Sequence, residues 1–330
     1  MPAKVLVTGA GGFIGSHLCE ALVRRGDHVR ALARYNGRGD AGRLDDVPLE
    51  IRREIEVVLG DVTDPYALGP VLAGQDIVLH LAALISIPYS YEAPYACFAT
   101  NTLGTVNVLE ASRREDVRRV VHISTSECYG TAQTIPISEH HPLVGQSPYA
   151  ASKIGADQAA ESFRRAFGVP VVTVRPFNSF GPRQSARAII PTIITQALTT
   201  YRVVLGALEP TRDLTFVTDI VAGMIAAAEA PDVVGETINL GSGREISIGD
   251  LATKIFELLD GNGIRAHMER DASRMRPPGS EVERLCADAS KARRLLGWEP
   301  IVSLSEGLVA TIDAIRLNLE SYPRVDAYHR

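Results

Sequence analysis

The sequence has few cysteines, no long apolar run and no excess of positive charge. Its four cysteines, Cys19, Cys97, Cys128 and Cys286, lie far apart and form no C-x-x-C pair, so neither a disulfide framework nor a zinc site is predicted. No stretch of about 18 apolar residues is present, which argues against a transmembrane helix. The net charge of −5 provides no basic surface for nucleic acid or an anionic membrane. We therefore expect a cytoplasmic protein with reduced thiols and without a metal.

What the chain does have is a regular alternation of strand and helix patterns. Hydrophobic residues make up 45% and charged residues 22% of its 330 residues, as in ordinary globular proteins. Short apolar runs predict strands near 4–8, 28–33, 55–60, 76–81, 118–123 and 170–175. Between them, helices are predicted near 13–25, 64–73, 92–113 and 148–167. This alternation predicts an α/β fold with a doubly wound parallel sheet, whose ligand lies at the carboxyl ends of the strands.

A glycine-rich turn follows the first predicted strand. Gly9, Gly12 and Gly15 have the spacing G-x-x-G-x-x-G and lead directly into the first helix. Such a turn lets the backbone approach a pyrophosphate closely and directs the amides of a helix N-terminus at the phosphates. The motif predicts a dinucleotide site.

The segment from His122 to Lys153 holds the residues best suited to chemistry. Its strand ends in small hydroxyl residues, and Ser147-Pro148 predicts the N-cap and first turn of a helix. On that helix Tyr149 and Lys153 are four residues apart and share a face. A nearby ammonium stabilises a phenolate, so we expect a lowered pKa for Tyr149 and a role as base toward a sugar or alcohol hydroxyl. The alternative is a surface lysine beside a half-buried tyrosine.

Together these three features resemble the extended short-chain dehydrogenase/reductase family, also called the NAD-dependent epimerase/dehydratase family, over nearly the whole chain. The resemblance implies a Rossmann-like NAD(P)-binding domain at 1–175 and a smaller α/β domain, mainly for the sugar nucleotide, at 176–330. The chain is expected to cross between the two domains more than once. The resemblance also implies a tightly bound, recycled cofactor and a homodimer formed through the helices near 92–113 and 148–167.

The resemblance implies cofactor contacts for Gly9, Gly12, Phe13, Ile14, Gly15, Arg34, Asp61, Val62, Leu81, Ala82, Ala83, Asn101, Tyr149 and Lys153. The choice between NAD and NADP stays open. Ala33 stands where NAD enzymes carry an acidic residue, and Arg34 could meet the 2′-phosphate of NADP or be a solvated loop residue. Asn101 could equally stabilise a kink in a buried helix.

For the substrate, a nucleoside-diphosphate sugar, the resemblance implies contacts with Ser86, Asn178, Arg187, Arg212 and Arg276. Guanidinium groups form paired hydrogen bonds with phosphate oxygens, which suits the arginines to the diphosphate. Each arginine taken alone could instead be a surface residue.

The reaction type depends on Glu127. Thr125 matches the family hydroxyl residue beside Tyr149, and family 4-epimerases need no carboxylate at position 127. Sugar-nucleotide 4,6-dehydratases and UDP-glucuronate decarboxylases carry a glutamate there. The predicted catalytic set is therefore Thr125, Ser126, Glu127, Tyr149 and Lys153. The alternative for Glu127 is a structural carboxylate that caps a loop or pairs with an arginine.

Several flanking segments, including 86–90, 146–153, 177–187 and 280–285, resemble the 4,6-dehydratases of legionaminic acid biosynthesis, which act on nucleotide-linked N-acetylglucosamine. We therefore predict a lyase of this type. The alternatives are a 4-epimerase, a UDP-glucuronate decarboxylase or a non-catalytic NAD(P)-binding regulator. Cys128 is expected on a strand, pointing away from Glu127 and packing in the interior, with a reactive thiol as the alternative. Trp298 is expected in the core.

Overall fold

The large sheet of this computed structural model confirms the predicted α/β fold. The structure describes residues 2–322 except Asn262, Arg276 and Pro278. The strands are β1 Lys4–Thr8, β2 His28–Arg34, β3 Ile55–Gly60, β4 Ile77–His80, β5 Arg119–Ile123, β6 Val171–Pro176, β7 Asn178–Phe180, β8 Arg202–Leu205, β9 Thr211–Phe216, β10 Thr237–Leu240, β11 Glu245–Ser247 and β12 His267–Arg270. Seven of them form a parallel sheet in the order β10-β6-β5-β4-β1-β2-β3.

The helices are α1 Phe13–Arg25, α2 Leu49–Arg52, α3 Pro65–Leu72, α4 Ile87–Glu92, α5 Pro94–Phe98, α6 Gly104–Arg114, α7 Pro148–Phe167, α8 Ile189–Thr199, α9 Val217–Glu229, α10 Ile248–Asp260, α11 Ser290–Leu296 and α12 Leu304–Leu317. Within the described residues, none is both long and apolar enough to cross a membrane. The strand order reverses between β1 and β4, so a crevice opens there at the carboxyl ends of the strands.

Apolar side chains on both faces of the sheet explain why helices cover it twice. On one face Val5 and Val7 of β1 join a core with α1 and α9, whereas Leu6 points to the opposite core beside α3 and α6. This alternation follows from the two-residue period of a strand. Because both faces are buried, the strand ends are the part of the sheet that remains open to a ligand.

The second half of the chain contributes to two layers. Strand β10 and helix α9 belong to the large sheet and its core. The sheets β11-β9-β7 and β12-β8 lie apart from it, and a separate core packs α8, α10 and α12 together. Trp298 is buried in the main core, as expected, and its indole N–H donates to the Asp219 carbonyl at 2.8 Å.

The helix predicted over 92–113 is interrupted. Helices α5 and α6 are joined by a π-helical turn, Ala99–Leu103, with buried Asn101 in its middle. The side-chain amide of Asn101 accepts from the Leu84 N–H at 2.7 Å and donates to the Leu84 carbonyl and to the Ser152 hydroxyl. These contacts anchor the segment after β4 to α7. Such π-turns occur often at functional sites.

Candidate active site

The glycine turn forms a cradle for a diphosphate at the end of β1. Gly9 has φ +70°, and a Cβ there would lie 2.7 Å from the backbone nitrogen of Ala82. A Cβ on Gly15 would collide with the Gly9 carbonyl. Gly12 is the N-cap of α1 and no side chain caps this terminus, so the amides of the first turn, which begins with Phe13 and Ile14, are available to phosphate oxygens. The geometry fits the predicted dinucleotide.

The opposite wall is the turn Leu81–Ala83 after β4. The Leu81 N–H donates to the Thr8 carbonyl and the Ala82 N–H to the Thr8 hydroxyl, both at 3.2 Å. The side chain of Asn101 is engaged with Leu84 and Ser152, so Asn101 shapes this wall from behind. That arrangement favours its interpretation as the residue that stabilises the kink.

Arg34 and Asp61 lie at the outer rim, beyond the ends of β2 and β3. The Arg34 Nε lies 3.8 Å from an Asp61 carboxylate oxygen, and 75% of the Arg34 side chain is exposed. Asp61 also accepts from the Thr63 N–H and hydroxyl. Val62 is buried and contacts Gly104 closely enough to exclude a larger residue there. Arg34, Asp61 and Val62, all predicted to contact the cofactor, thus share one end of the crevice.

Helix α7 begins as predicted and buries its two functional residues. The Ser147 hydroxyl accepts from the Ala150 N–H at 3.1 Å, and Pro148 occupies the first turn. Tyr149 is 8% and Lys153 2% exposed. The interpretation of Lys153 as a surface residue is therefore wrong.

The expected lowering of the Tyr149 pKa is also wrong for the protein by itself. Burial raises the pKa of Tyr149 well above its ordinary value, and a hydrogen bond with Thr125 only partly opposes this. The Lys153 ammonium donates to the Ile123 carbonyl at 2.7 Å, and burial lowers its pKa. Desolvation therefore dominates the pKa of the buried Tyr149 phenol.

Glu127 lies on a 3₁₀ turn, Ser126–Tyr129, and not on a continuation of β5. Thr125 caps the turn, with its hydroxyl accepting from the Glu127 N–H at 3.2 Å. Gly130, at φ +64°, ends it. The turn begins here because the Thr125 hydroxyl competes for a backbone amide at the end of the strand.

Glu127 is 8% exposed as a whole residue, and its carboxylate has no hydrogen bond or ion pair with any other residue in the described part of the chain. Burial is the main cause of the raised Tyr149 pKa, and the negative charge of Glu127 adds to it. The alternative interpretation is a carboxylate that caps a loop or pairs with an arginine, and the described residues provide no such partner for Glu127. A carboxylate that is left unpaired beside Tyr149, with oxygens that still reach solvent, is available to a bound ligand, which indicates a functional role.

The prediction that Cys128 lies on a strand is wrong, because it lies on the 3₁₀ turn. Neighbouring side chains on a 3₁₀ turn diverge by about 120°, and Cys128 points into the interior with its sulfur 3.6 Å from the Ser124 hydroxyl. Burial raises the pKa of its thiol to about 12. The expected packing role is confirmed, and a reactive thiol is contradicted.

The predicted substrate residues lie on separate segments. Ser86 caps α4 by accepting from the Tyr89 N–H at 3.3 Å. Asn178 opens β7, and its buried side-chain oxygen has no partner within the described residues. Arg187 is exposed just before α8. Arg276 lies outside the described residues.

Arg212 is buried in β9 and is not a surface arginine. Its guanidinium donates to the Thr211 and Val282 carbonyls at 2.9 and 2.8 Å and forms an ion pair with Glu281 at 3.0 Å. It therefore connects β9 to the segment that follows the predicted Arg276.

Asp157, which lies one helical turn after Lys153 and is buried, is not among the predicted site residues. The Tyr149, Lys153, Asp157 series at i, i+4 and i+8 was a signal that all three share one face of α7. Among the described residues, no group of three or more His, Cys, Asp or Glu side chains could hold a metal ion.

A family model described as GDP-mannose 4,6 dehydratase matches residues 6–311. The chain belongs to this family. Known members of the wider epimerase and dehydratase group are similar over almost their full length. A UDP-glucose 4-epimerase from Mycolicibacterium smegmatis is 33% identical over 95% of this chain and 98% of its own. A dTDP-glucose 4,6-dehydratase from an Actinoplanes species is 32% identical over 96% and 98%.

A UDP-glucuronic acid decarboxylase from Xenopus tropicalis is 32% identical over 96% of this chain and 73% of its own. Among solved structures, the dTDP-glucose 4,6-dehydratase DesIV from Streptomyces venezuelae, with NAD bound, superimposes with a TM-score of 0.86 at 30% identity, covering 97% of this chain and 99% of that chain. The relatives named here are therefore nucleotide-sugar enzymes that catalyse three different reactions.

Proposed function

We propose that this protein is a nucleotide-sugar 4,6-dehydratase, a lyase that converts a nucleoside-diphosphate hexose to its 4-keto-6-deoxy form. The observation that carries the proposal is the buried Glu127 carboxylate, unpaired among the described residues, on the turn that also presents Thr125 to Tyr149. The resemblance to the legionaminic acid dehydratases, and with it N-acetylglucosamine as the sugar, remains a prediction from the sequence.

The residues that would hold the dinucleotide are the predicted ones at the strand ends. Gly9, Gly12 and Gly15 with the first-turn amides of α1 would contact the pyrophosphate, and Arg34 and Asp61 the adenosine. Lys153 would contact the nicotinamide ribose. When bound, NAD(P)+ accepts a hydride from C4 of the sugar and later returns it to C6. NAD occurs in a related structure, whereas the choice of NADP depends on Arg34.

The first proton transfer belongs to Tyr149. Its phenolic oxygen removes the proton of the C4 hydroxyl, and Thr125 hydrogen-bonds the same oxygen atom of the sugar. Because burial raises the Tyr149 pKa, Lys153 must act on the phenolate when the site is filled. A ketone forms at C4, and it acidifies the proton on C5.

The second proton transfer belongs to Glu127. Its carboxylate removes the C5 proton, the C6–oxygen bond breaks, and Ser126 or protonated Glu127 supplies the proton with which the hydroxyl leaves as water. A proton returns to C5 when C6 receives the hydride. The sum of the steps is the loss of one water from the sugar, with the cofactor regenerated.

The arginines would bind the diphosphate, with Asn178 and Ser86 on the sugar. Arg212 already neutralises Glu281, so a diphosphate must share or replace that contact. The side-chain oxygen of Asn178, which has no partner among the described residues, is suited to a sugar hydroxyl.

We further propose a homodimer through α5, α6 and α7. Large apolar side chains are exposed along these helices: Tyr95 is 84%, Leu103 57% and Phe167 56% exposed. Exposed apolar side chains on neighbouring helices are suited to burial against a partner. Sedimentation equilibrium would show a species of twice the chain mass, and a Leu103→Glu variant would shift it to the monomer.

A 4-epimerase is the second candidate, because an epimerase is among the similar proteins. A non-catalytic regulator is disfavoured, because such proteins typically lose the tyrosine or lysine of the active site. The test is mass spectrometry after mixing the purified protein with dTDP-glucose, UDP-glucose, UDP-glucuronate, and UDP- and GDP-N-acetylglucosamine. Loss of one water from one sugar supports the dehydratase, whereas unchanged mass with inverted C4, or loss of carbon dioxide, would replace it.

A further inference from the structure

A buried ionic network joins the helix that carries Tyr149 to the turn that carries Glu127. At its centre is the carboxylate of Asp157, which is 5% exposed. One oxygen accepts from the His122 Nε2 at 3.0 Å, and the other from Arg175 at 2.8 and 3.2 Å. Burial alone would raise the pKa of Asp157, but the His122 hydrogen bond and the Arg175 charge lower it to about 2.

The network holds the start of the turn through Ser124. The Ser124 hydroxyl donates to Asp157 at 2.9 Å, and its N–H donates to the Val174 carbonyl at 2.8 Å. The next residue, Thr125, caps the turn, and its hydroxyl partly opposes the rise in the pKa of the neighbouring Tyr149. The position of the Thr125 hydroxyl is therefore set by the Ser124–Asp157 hydrogen bond.

The network holds the end of the turn through Tyr129. Arg175 donates from Nη1 to the Tyr129 hydroxyl at 3.0 Å, and its guanidinium carbon lies 4.9 Å from the centre of the Tyr129 ring. The Tyr129 hydroxyl in turn donates to the side chain of Asn239, on β10, at 2.7 Å. Tyr129 is fully buried and is two residues from Glu127.

We propose that Asp157 and Arg175 are positioning residues that hold both ends of the turn Thr125–Tyr129 against Tyr149. This inference rests on the proposed function, since it assumes that Tyr149 and Glu127 act in sequence on one sugar. Asp157 is on the same helix as Tyr149. The Asp157–Arg175 pair therefore fixes the distance between Tyr149, which acts on C4, and Glu127, which acts on C5.

A role limited to stability would weaken both steps alike, whereas a positioning role makes the two ends of the turn separable. Removing the hydroxyl of Ser124 frees Thr125 and impairs oxidation at C4. Removing the hydroxyl of Tyr129 frees Glu127 and impairs proton removal at C5. A displacement of about 1 Å costs on the order of 100-fold in rate, so each variant should slow its own step by about 10- to 100-fold.

The test uses Ser124→Ala and Tyr129→Phe, each of which removes one oxygen and leaves the Asp157–Arg175 ion pair intact. Tyr322→Phe is the matched control, because within the described residues the Tyr322 hydroxyl hydrogen-bonds only the Gln184 carbonyl, at 3.5 Å. Single turnovers with whichever sugar of the five-member panel the wild type converts are quenched with acid and analysed by mass spectrometry. Tyr129→Phe should accumulate the 4-keto hexose that still carries its C6 hydroxyl, whereas Ser124→Ala should form ketone slowly and accumulate none.

A second readout does not depend on turnover. Backbone amide exchange at residues 125–130, measured without substrate, should be faster in both variants than in the wild type and in Tyr322→Phe. Equal slowing of both steps in the two variants, or unchanged exchange at the turn, would overturn the positioning role. If no panel sugar loses water, the proposed function fails, and the exchange measurement still decides whether the pair holds the turn.

Discussion

Two buried carboxylates lie in neighbouring regions of this molecule, and their surroundings are opposite. On helix α7, Asp157 accepts hydrogen bonds from a histidine, a serine and an arginine. On the adjacent 3₁₀ turn, Glu127 is almost as deeply buried and makes no such bond within the described residues. Asp157 is therefore fixed in place by its partners, whereas the Glu127 carboxylate, whose oxygens still reach solvent, is available for a reaction.

The largest effect is expected at Glu127. Replacing it with glutamine should reduce formation of the 4-keto-6-deoxy product by about 10²- to 10⁴-fold, because general base catalysis contributes that much. Oxidation at C4 should continue, so the 4-keto hexose appears in a quenched turnover. The unfolding free energy should stay near that of the wild type. Full turnover by this variant, or the same loss in the exposed control Glu115→Gln, would remove Glu127 from its role.

A loss of stability, which is not expected for Glu127→Gln, is expected at Asp157. Replacing it with asparagine leaves the Arg175 guanidinium buried without its counter-ion, which typically costs about 3–5 kcal/mol. Urea unfolding measures this loss. Asp219→Asn is the matched control, because among the residues that the structure describes that buried carboxylate accepts only from the backbone amides of Ile301 and Val302. Its loss should be nearer about 1–3 kcal/mol. Equal losses of unfolding free energy in Asp157→Asn and Asp219→Asn would contradict a larger contribution of the Asp157–Arg175 ion pair to stability.

Acid should reveal the same ion pair without a mutation. The pKa of Asp157 is lowered to about 2, below the roughly 3.9 of an unfolded chain. Its contribution to stability is therefore complete above about pH 4 and is lost as the pH falls toward 2, at most about 3 kcal/mol. Unfolding free energies measured between about pH 6 and pH 3 should fall more steeply for the wild type than for Asp157→Asn. Parallel curves would show that Asp157 titrates normally.

The smallest effect is expected at Arg212, which has a carboxylate partner yet is predicted to bind diphosphate. Arg212→Lys loses the paired hydrogen bonds of the guanidinium, so KM should rise by about tenfold with little change in kcat. Arg202→Lys is the matched control, since Arg202 pairs with Glu269 on the exposed edge of β8. An unchanged KM would indicate that Arg212 serves only to hold Glu281 and Val282.

The parts predictable from sequence are those that local patterns determine. The strands, the Gly9–Gly15 turn and the N-cap of α7 each depend on residues close together in the chain. The π-turn at Asn101 depends on Leu84 and Ser152, and the high pKa of Tyr149 depends on burial, so neither follows from local spacing. The partners of Asp157 come from β5 and β6, up to 35 positions away, and the i+4 spacing after Lys153 was their only local sign.

The sequential action of Tyr149 and Glu127 is tested most directly by following the C4 hydrogen of the sugar into the product. The sugar that turns over is prepared with deuterium at C4 and converted in ordinary water, and the product is analysed by nuclear magnetic resonance. A 4,6-dehydratase in which Tyr149 and Glu127 act in sequence predicts deuterium at C6 of a 4-keto-6-deoxy product, with a solvent proton at C5. Deuterium found again at C4 of an inverted hexose would contradict the account and identify an epimerase.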